Sequence, residues 1–250
     1  MAVINLSPES RNAHSIARHP RHALEMARRY QELGATIIDL GAQSSHHESP
    51  TLEADEEIAR LAPVVEMLAS EGLLVSVDTW KPAVAGAALS AGAVMINDTG
   101  GLRDPEMVEV LAQHRAAVIA VYVEGAHPHD VGEVDTGPAK AARTAQVMAA
   151  RLHELGGLSL DRVVVDPGIA INYRGDYAAY TRLQLQVIRD IAELRSLGRP
   201  ILIPIPRKKD DHRVAAYITL ALEFGADLIR VHDVEMGCDL VRLFDRAASS

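Results

Sequence analysis

Asp78 and Asp166 are the chain's most telling chemical groups, because each closes an apolar run: Leu73-Leu-Val-Ser-Val-Asp78 and Val163-Val-Val-Asp166-Pro-Gly168. A carboxylate so placed is costly to bury unless it is paired or binds something. Other polar residues end similar runs: Asn5, Asp39, Asn97 with Asp98, Glu124, Arg207 with Lys208, and Arg230 with His232 and Asp233. Asp78, Asn97 and Asp166 are hydrogen-bond acceptors, or acceptor and donor together, suited to a flat heterocycle bearing amide and amino groups. Arg207, Lys208, Arg230 and His232 supply donors and positive charge for an anion or a stacked ring. A ligand with a guanidine-like edge and an anionic tail would use both sets.

The elements that must position these groups are short β-branched runs alternating with longer amphipathic segments. Eight strands are predicted, at 3–6, 36–40, 74–78, 94–97, 117–123, 163–166, 201–205 and 228–232. Helices are predicted at 20–33, 53–70, 81–91, 104–114, 138–155, 177–196, 210–224 and 235–247. One scheme recurs in Gly34-Ala-Thr-Ile-Ile-Asp39, Gly92-Ala-Val-Met-Ile-Asn97 and Gly225-Ala-Asp-Leu-Ile-Arg230: a helix end, a Gly-Ala cap, a buried strand and a polar residue. Units of about thirty residues fit a single-domain α/β fold over 1–250, a (β/α)8 TIM barrel, whose strand ends converge on one mouth. No glycine-rich dinucleotide turn follows the first strand, which disfavours an open doubly wound sheet.

Composition narrows the partners. The 250 residues carry a net charge of −9, the wrong sign for a duplex-binding protein, so no nucleic acid is expected. No apolar run reaches the length of a membrane span, and Met1–Asn5 has no basic stretch before an apolar one, so neither a membrane nor a signal peptide is expected. A single cysteine, Cys238, fits a reducing, cytoplasmic setting. His46-His47 and the His127/His129 pair are read as solvated loop residues rather than metal ligands. Trp80, just beyond Asp78, is a candidate for the rim of the mouth, and Glu124 a candidate contact for a basic nitrogen on a second substrate.

At these residues the sequence resembles the dihydropteroate synthase family and its pterin-binding relatives. The resemblance runs in order through Val3-Ile-Asn5-Leu-Ser-Pro8, Gly34–Ser45, Val75-Ser-Val-Asp78-Thr, Ala91–Asp98, Val165-Asp166-Pro-Gly168, Pro206-Arg-Lys208 and Ile229-Arg230-Val-His232-Asp233. It implies a transferase that joins a pterin pyrophosphate to an arylamine, p-aminobenzoate in the family, with loss of diphosphate. It implies that Asp78, Asn97 and Asp166 grip the pterin edge and that Lys208 lies over the ring. By the same resemblance Asn5 serves Mg²⁺ with the diphosphate, and Arg230 and His232 hold phosphate oxygens. Asp78, Lys208, Arg230 and His232 are thus the candidate catalytic residues, with Ser45 and Arg207 joining the substrate set. A homodimer is the family-based expectation.

The departures fall in the first two loops. The family's Phe-Ser-Asp-Gly-type stretch reads Ser10-Arg-Asn-Ala-His14 here, and its Ser-Thr-Arg-Pro-Gly reads Ser44-Ser45-His46-His47-Glu48. Ser45 can replace the threonine hydroxyl, whereas His46 replaces a phosphate-binding arginine and the proline of the arylamine pocket is absent. The phenylalanine and lysine expected after Asp166-Pro-Gly168 read Ile171 and Tyr173. The pterin and anion ends are retained and the arylamine end is rebuilt. Three alternatives stay open: another acceptor in specialised metabolism, a folate-dependent methyl transferase, and a pterin binder without turnover.

Overall fold

The structure is a computed structural model that describes residues 1–7, 13–44, 46, 49–155, 158–206 and 210–248. Strands and helices alternate along the chain. The strands are β1 (Ala2–Asn5), β2 (Ile38–Gly41), β3 (Val75–Asp78), β4 (Met95–Asp98), β5 (Ala117–Val121), β6 (Val163–Asp166), β7 (Leu202–Pro204) and β8 (Leu228–Arg230). The helices are α1 (Pro20–Leu33), α2 (Ala54–Ser70), α3 (Pro82–Ser90), α4 (Pro105–His114), α5 (Lys140–Glu154), α6 (Tyr177–Arg189), α7 (Ile191–Arg195), α8 (Asp211–Glu223) and α9 (Val234–Ala248).

β1 to β6 form one parallel sheet in sequence order, and β7 pairs with β8. Two parallel bridges close the ring, Val165 with Ile201 and Ala2 with Val231. Backbone bonds at the same seams, Val165 N–H to Pro200 O at 2.9 Å and Val3 N–H to Val231 O at 3.0 Å, complete an eightfold (β/α) barrel. The register sets Asn5 beside Gly41, Asp78 beside Asn97, and Val121 beside Asp166. The polar strand ends therefore lie at one level.

The helices pack on this ring through the faces that the periodicity marks. Ala23 and Ala27 of α1 and Val65 and Leu68 of α2 are fully buried. Each buried Leu or Val contributes about 1.5–3 kcal/mol of transfer free energy, an upper bound because the unfolded chain is itself partly collapsed. The recurring Gly-Ala caps have a backbone cause: Gly34, Gly92 and Gly225 sit at φ +111°, +110° and +86°. That region penalises any Cβ, and at Gly92 the added carbon would stand 2.7 Å from Ala69 Cβ. The helix expected over 177–196 is instead two, because Asp190 ends α6 and begins α7 with φ −92° and ψ 24°. Aspartate favours such boundaries over helix interiors.

Candidate active site

Arg230, from the end of β8, projects across the mouth between two carboxylates. Its Nε donates to Asp39 Oδ2 at 2.7 Å and its Nη2 to Asp78 Oδ2 at 2.8 Å. Asp39 is fully buried and also accepts from Ser76 Oγ at 2.7 Å and Asn97 Nδ2 at 3.3 Å. Thr99 Oγ1 donates to the other oxygen of Asp78 at 3.4 Å. Burial opposes charge on Arg230, yet Asp39, Asp78 and Asp166 outweigh it and raise its pKa, so the guanidinium stays ionised. Burial pushes the Asp78 carboxyl up, against the pull of Arg230.

Two acceptors of this network remain for a ligand. Asn97 spends its amide N–H₂ on Asp39, while its Oδ1 is buried with no hydrogen-bond partner among the described residues. An orphaned buried acceptor costs about 1–3 kcal/mol and calls for a donor. Asp166 has one oxygen on Gly168 N–H at 2.7 Å. Its pKa is pushed up to about 7 by burial, with Gly168 and Arg230 opposing and Asp78 and Asp39 adding to the rise. Asp98, by contrast, is a brace: its two oxygens accept Gly100 N–H at 2.8 Å and Leu102 N–H at 2.6 Å, shaping the turn after β4.

The other side of the mouth is built around Ser15, in a short 3-10 turn (Ala13–Ser15) after β1. Asn5 Nδ2 donates to Ser15 Oγ at 2.7 Å, and Ser15 Oγ lies 3.1 Å from His232 Nδ1. This chain fixes the imidazole and turns the remaining oxygen of Asn5 toward Gly41, 3.9 Å from where a Cβ there would stand. A cavity of about 530 Å³ opens beside His232, with Pro206, His14 and Tyr30 in its wall.

Six of the candidates are thereby placed at one mouth: Asn5, Asp78, Asn97, Asp166, Arg230 and His232. Ser45, Arg207 and Lys208 lie outside the described residues. Two expectations change. Glu124 is not aimed at a ligand: it forms an ion pair with Lys140 and accepts Asp135 N–H at 2.8 Å. His127 and His129 are more than solvated loop residues, since His127 stacks on Trp80 with ring centroids 5.0 Å apart and His129 bonds across to the loop after β2. Among the described residues no group of three or more His, Cys, Asp or Glu could hold a metal ion.

Several contributors carried no sequence signal of their own. Ser15 and Ser76 are ordinary serines until the fold sets them beside Asn5 and Asp39. Tyr180 and Gln184, one turn apart on α6, support the loop after β6 from below. The Tyr180 hydroxyl lies 2.9 Å from Ile169 O and 2.8 Å from Ile171 O, and Gln184 Nε2 donates to Ile169 O at 2.7 Å. Their i, i+4 spacing marks a shared helix face, the only hint available beforehand.

A (β/α) barrel with a buried carboxylate–carboxamide set and an imidazole at its mouth is the class of protein that the fold and site define. The pterin binding enzyme family matches residues 1–242. The dihydropteroate synthase of Synechocystis sp. is 30% identical over an alignment covering 98% of this chain and 88% of its own. The crystal structure of Burkholderia cenocepacia dihydropteroate synthase complexed with 7,8-dihydropteroate shares the fold with a TM-score of 0.83 and 30% identity, over 100% of this chain and 91% of that one. An inactive dihydropteroate synthase 2 of Mycobacterium bovis is also 30% identical, over 94% of this chain and 78% of its own. The chain belongs to the pterin binding enzyme family and is a dihydropteroate synthase-like transferase.

Proposed function

We propose that the mouth binds 6-hydroxymethyl-7,8-dihydropterin pyrophosphate and passes its pterin methylene to an arylamine, p-aminobenzoate being the first candidate. The methylene C–O bond breaks as diphosphate leaves, a C–N bond forms, and the amine gives up a proton. The observation that carries this reading is the unpartnered Oδ1 of Asn97, in register with Asp78 and at the same mouth as Asp166. These acceptors suit the amino and ring N–H donors of a pterin edge. Such donors favour ionised Asp166 and so offset the cost of its burial.

Arg230 has committed the N–H of Nε to Asp39 and one of Nη2 to Asp78, which leaves the N–H groups of Nη1 and the second of Nη2 for the ligand. Its first service is therefore to hold the carboxylates in place, with the remaining N–H groups of Nη1 and Nη2 able to meet a phosphate. His232, oriented through Ser15, faces the anion end, and Lys208, Arg207 and Ser45 complete the substrate set as the resemblance implies. Mg²⁺ fits Asn5, whose amide nitrogen is spent on Ser15 and whose oxygen is a hard donor. One protein oxygen suits an ion held mainly by diphosphate oxygens and water. When bound, it would stabilise negative charge on the leaving group. We also expect a homodimer. A cytoplasmic protein is consistent with the finding that no helix among the described residues is long and apolar enough to cross a membrane.

The test is diphosphate release from the pterin pyrophosphate with Mg²⁺, with and without p-aminobenzoate, beside calorimetric pterin binding. Release that requires p-aminobenzoate supports the synthase, and absence of pterin binding overturns the reading. A second reading, pterin binding without synthase turnover, is favoured by the inactive relative and by His46 at the family's arginine position. It predicts tight binding with no release under either condition.

A further inference from the structure

The loop from Ala42 to Glu53 leaves β2 where Gly41 adjoins Asn5 and Asp78, so it stands at the rim of the mouth. Its two ends are tied together by Gln43 Oε1, which accepts Leu52 N–H at 2.8 Å and Lys81 Nζ at 2.9 Å. Lys81 also reaches Glu57 on α2 at 2.8 Å. A second tie comes from the other side of the rim. His129, in the loop after β5, has Nε2 2.8 Å from Ser44 O and Nδ1 2.9 Å from Thr51 Oγ1. A carbonyl can only accept, so Nε2 donates to Ser44 O, while Nδ1 shares a hydrogen bond with the threonine hydroxyl. One imidazole thus spans the entrance and exit of the neighbouring loop.

The anchor is itself well braced. Gly125 bridges Val131 and Glu133 bridges Arg174 of the following loop. Ala126 N–H donates to Asp130 Oδ2 at 3.0 Å. Lys140 pairs with Glu124 and lies over the Tyr122 ring, 5.0 Å from its centroid. Trp80 lies against both histidines, with centroid distances of 5.0 Å to His127 and 5.1 Å to His129.

We infer that His129 is a positioning residue that fixes the loop after β2 over the mouth, and that it thereby sets affinity for the arylamine rather than for the pterin. The inference rests on the transferase reading above: the pterin-facing groups Asp78, Asn97 and Asp166 belong to β3, β4 and β6, whereas the tethered residues Gln43, Ser44, Thr51 and Leu52 follow β2, which carries none of them. It places second-substrate selection in a contact between two loops that are 85 residues apart.

The test uses three variants of the full chain. His129→Phe keeps an aromatic ring beside Trp80 and removes both hydrogen bonds, His129→Ala removes ring and bonds, and His129→Gln keeps one donor and one acceptor. For the Phe and Ala variants the expected result is a KM for p-aminobenzoate at least tenfold higher. The kcat should change less than threefold and the KM for the pterin pyrophosphate less than twofold, and Gln should restore the acceptor KM to within threefold of the parent. Amide hydrogen exchange across 43–52 should rise in Phe and Ala and stay near the parent rate in Gln. Unchanged exchange in the Phe variant overturns the tether, whether or not the protein turns over. Faster exchange with an unchanged acceptor KM, or an equal rise in both KM values, overturns the assignment to the acceptor. A parent protein that binds no pterin and shows no transfer defeats the transferase reading and the acceptor assignment with it, while exchange still decides the tether.

Discussion

Arg230 and Asp39, 191 residues apart in sequence, meet at 2.7 Å between Nε and Oδ2, and the same guanidinium reaches Asp78 at 2.8 Å. This fork links β8 to β2 and β3 inside the barrel mouth. It means that the candidate anion-binding arginine is first a structural counter-ion. Lysine at 230 would keep the charge but cannot present two divergent N–H groups to two carboxylates. Arg230→Lys should lower the unfolding free energy by about 3 kcal/mol, because it leaves a buried carboxylate poorly paired. Adding Asp39→Asn should then cost little more, since the partners act as one unit. Denaturant unfolding of both singles and the double measures this, and additive losses would contradict the coupling.

Asn97→Leu separates ligand binding from folding. The substitution keeps much of the side-chain volume, removes the orphaned Oδ1 and leaves Asp39 with Ser76 and Arg230. Stability should move by about 1 kcal/mol or less, while affinity for a pterin ligand should fall roughly 10- to 100-fold for the lost buried contact. Calorimetric titration beside a thermal melt reads both quantities. Retained affinity would take Asn97 out of the pterin site.

Asp166 gives a pH signature with a definite sign. Its pKa is raised from 3.8 to about 7 in the fold, with burial the largest cause. Below pH about 4 both states carry the proton, and above about 7 neither does. Between these limits the folded state binds more protons, so this group's contribution to stability falls as pH rises through the window. Asp166→Asn lacks that loss and can still accept Gly168 N–H. Relative to the parent, the variant should gain about 2–4 kcal/mol between pH 4 and pH 8. Chemical denaturation at several pH values checks it; a constant difference would show that Asp166 is ionised throughout.

Two left-handed positions predict opposite outcomes. Gly168 has φ +71°, and a Cβ there would lie 1.9 Å from Tyr122 O, so the backbone of the Asp166-Pro-Gly168 turn would have to move. Gly168→Ala should cost about 3 kcal/mol or more and weaken pterin binding, because the turn places Asp166. Arg115 holds φ 52° at the C-cap of α4, where glycine fits without strain. Arg115→Gly should raise Tm by about 2–4 °C, the shift expected for roughly 1 kcal/mol in a chain of this size. Differential scanning fluorimetry of the two variants is sufficient, and a matching sign for both would refute the strain argument.

The barrel and most of its strand ends were legible because they are local signals. An apolar run, its polar terminus and a Gly-Ala cap each lie within about ten residues, and the parallel ring follows once eight such units alternate with amphipathic helices. For the same reason Asn5, Asp78, Asn97, Asp166, Arg230 and His232 could be named from strand ends alone. The partners of those side chains could not. Glu124 closes an apolar run like the others, but it lies beyond the end of β5 and Lys140 from the start of α5 claims it. Asp39 gains its meaning from Arg230, and Ser15 joins Asn5 to a histidine 217 residues further on. His129 acts 85 residues from its own place in the chain. Type and period of structure are written in neighbouring residues, whereas pairing among charged groups depends on which strand ends the closed ring brings within 3 Å. Barrel closure alone decides that, because it sets the register and distance between segments that share no sequence neighbourhood.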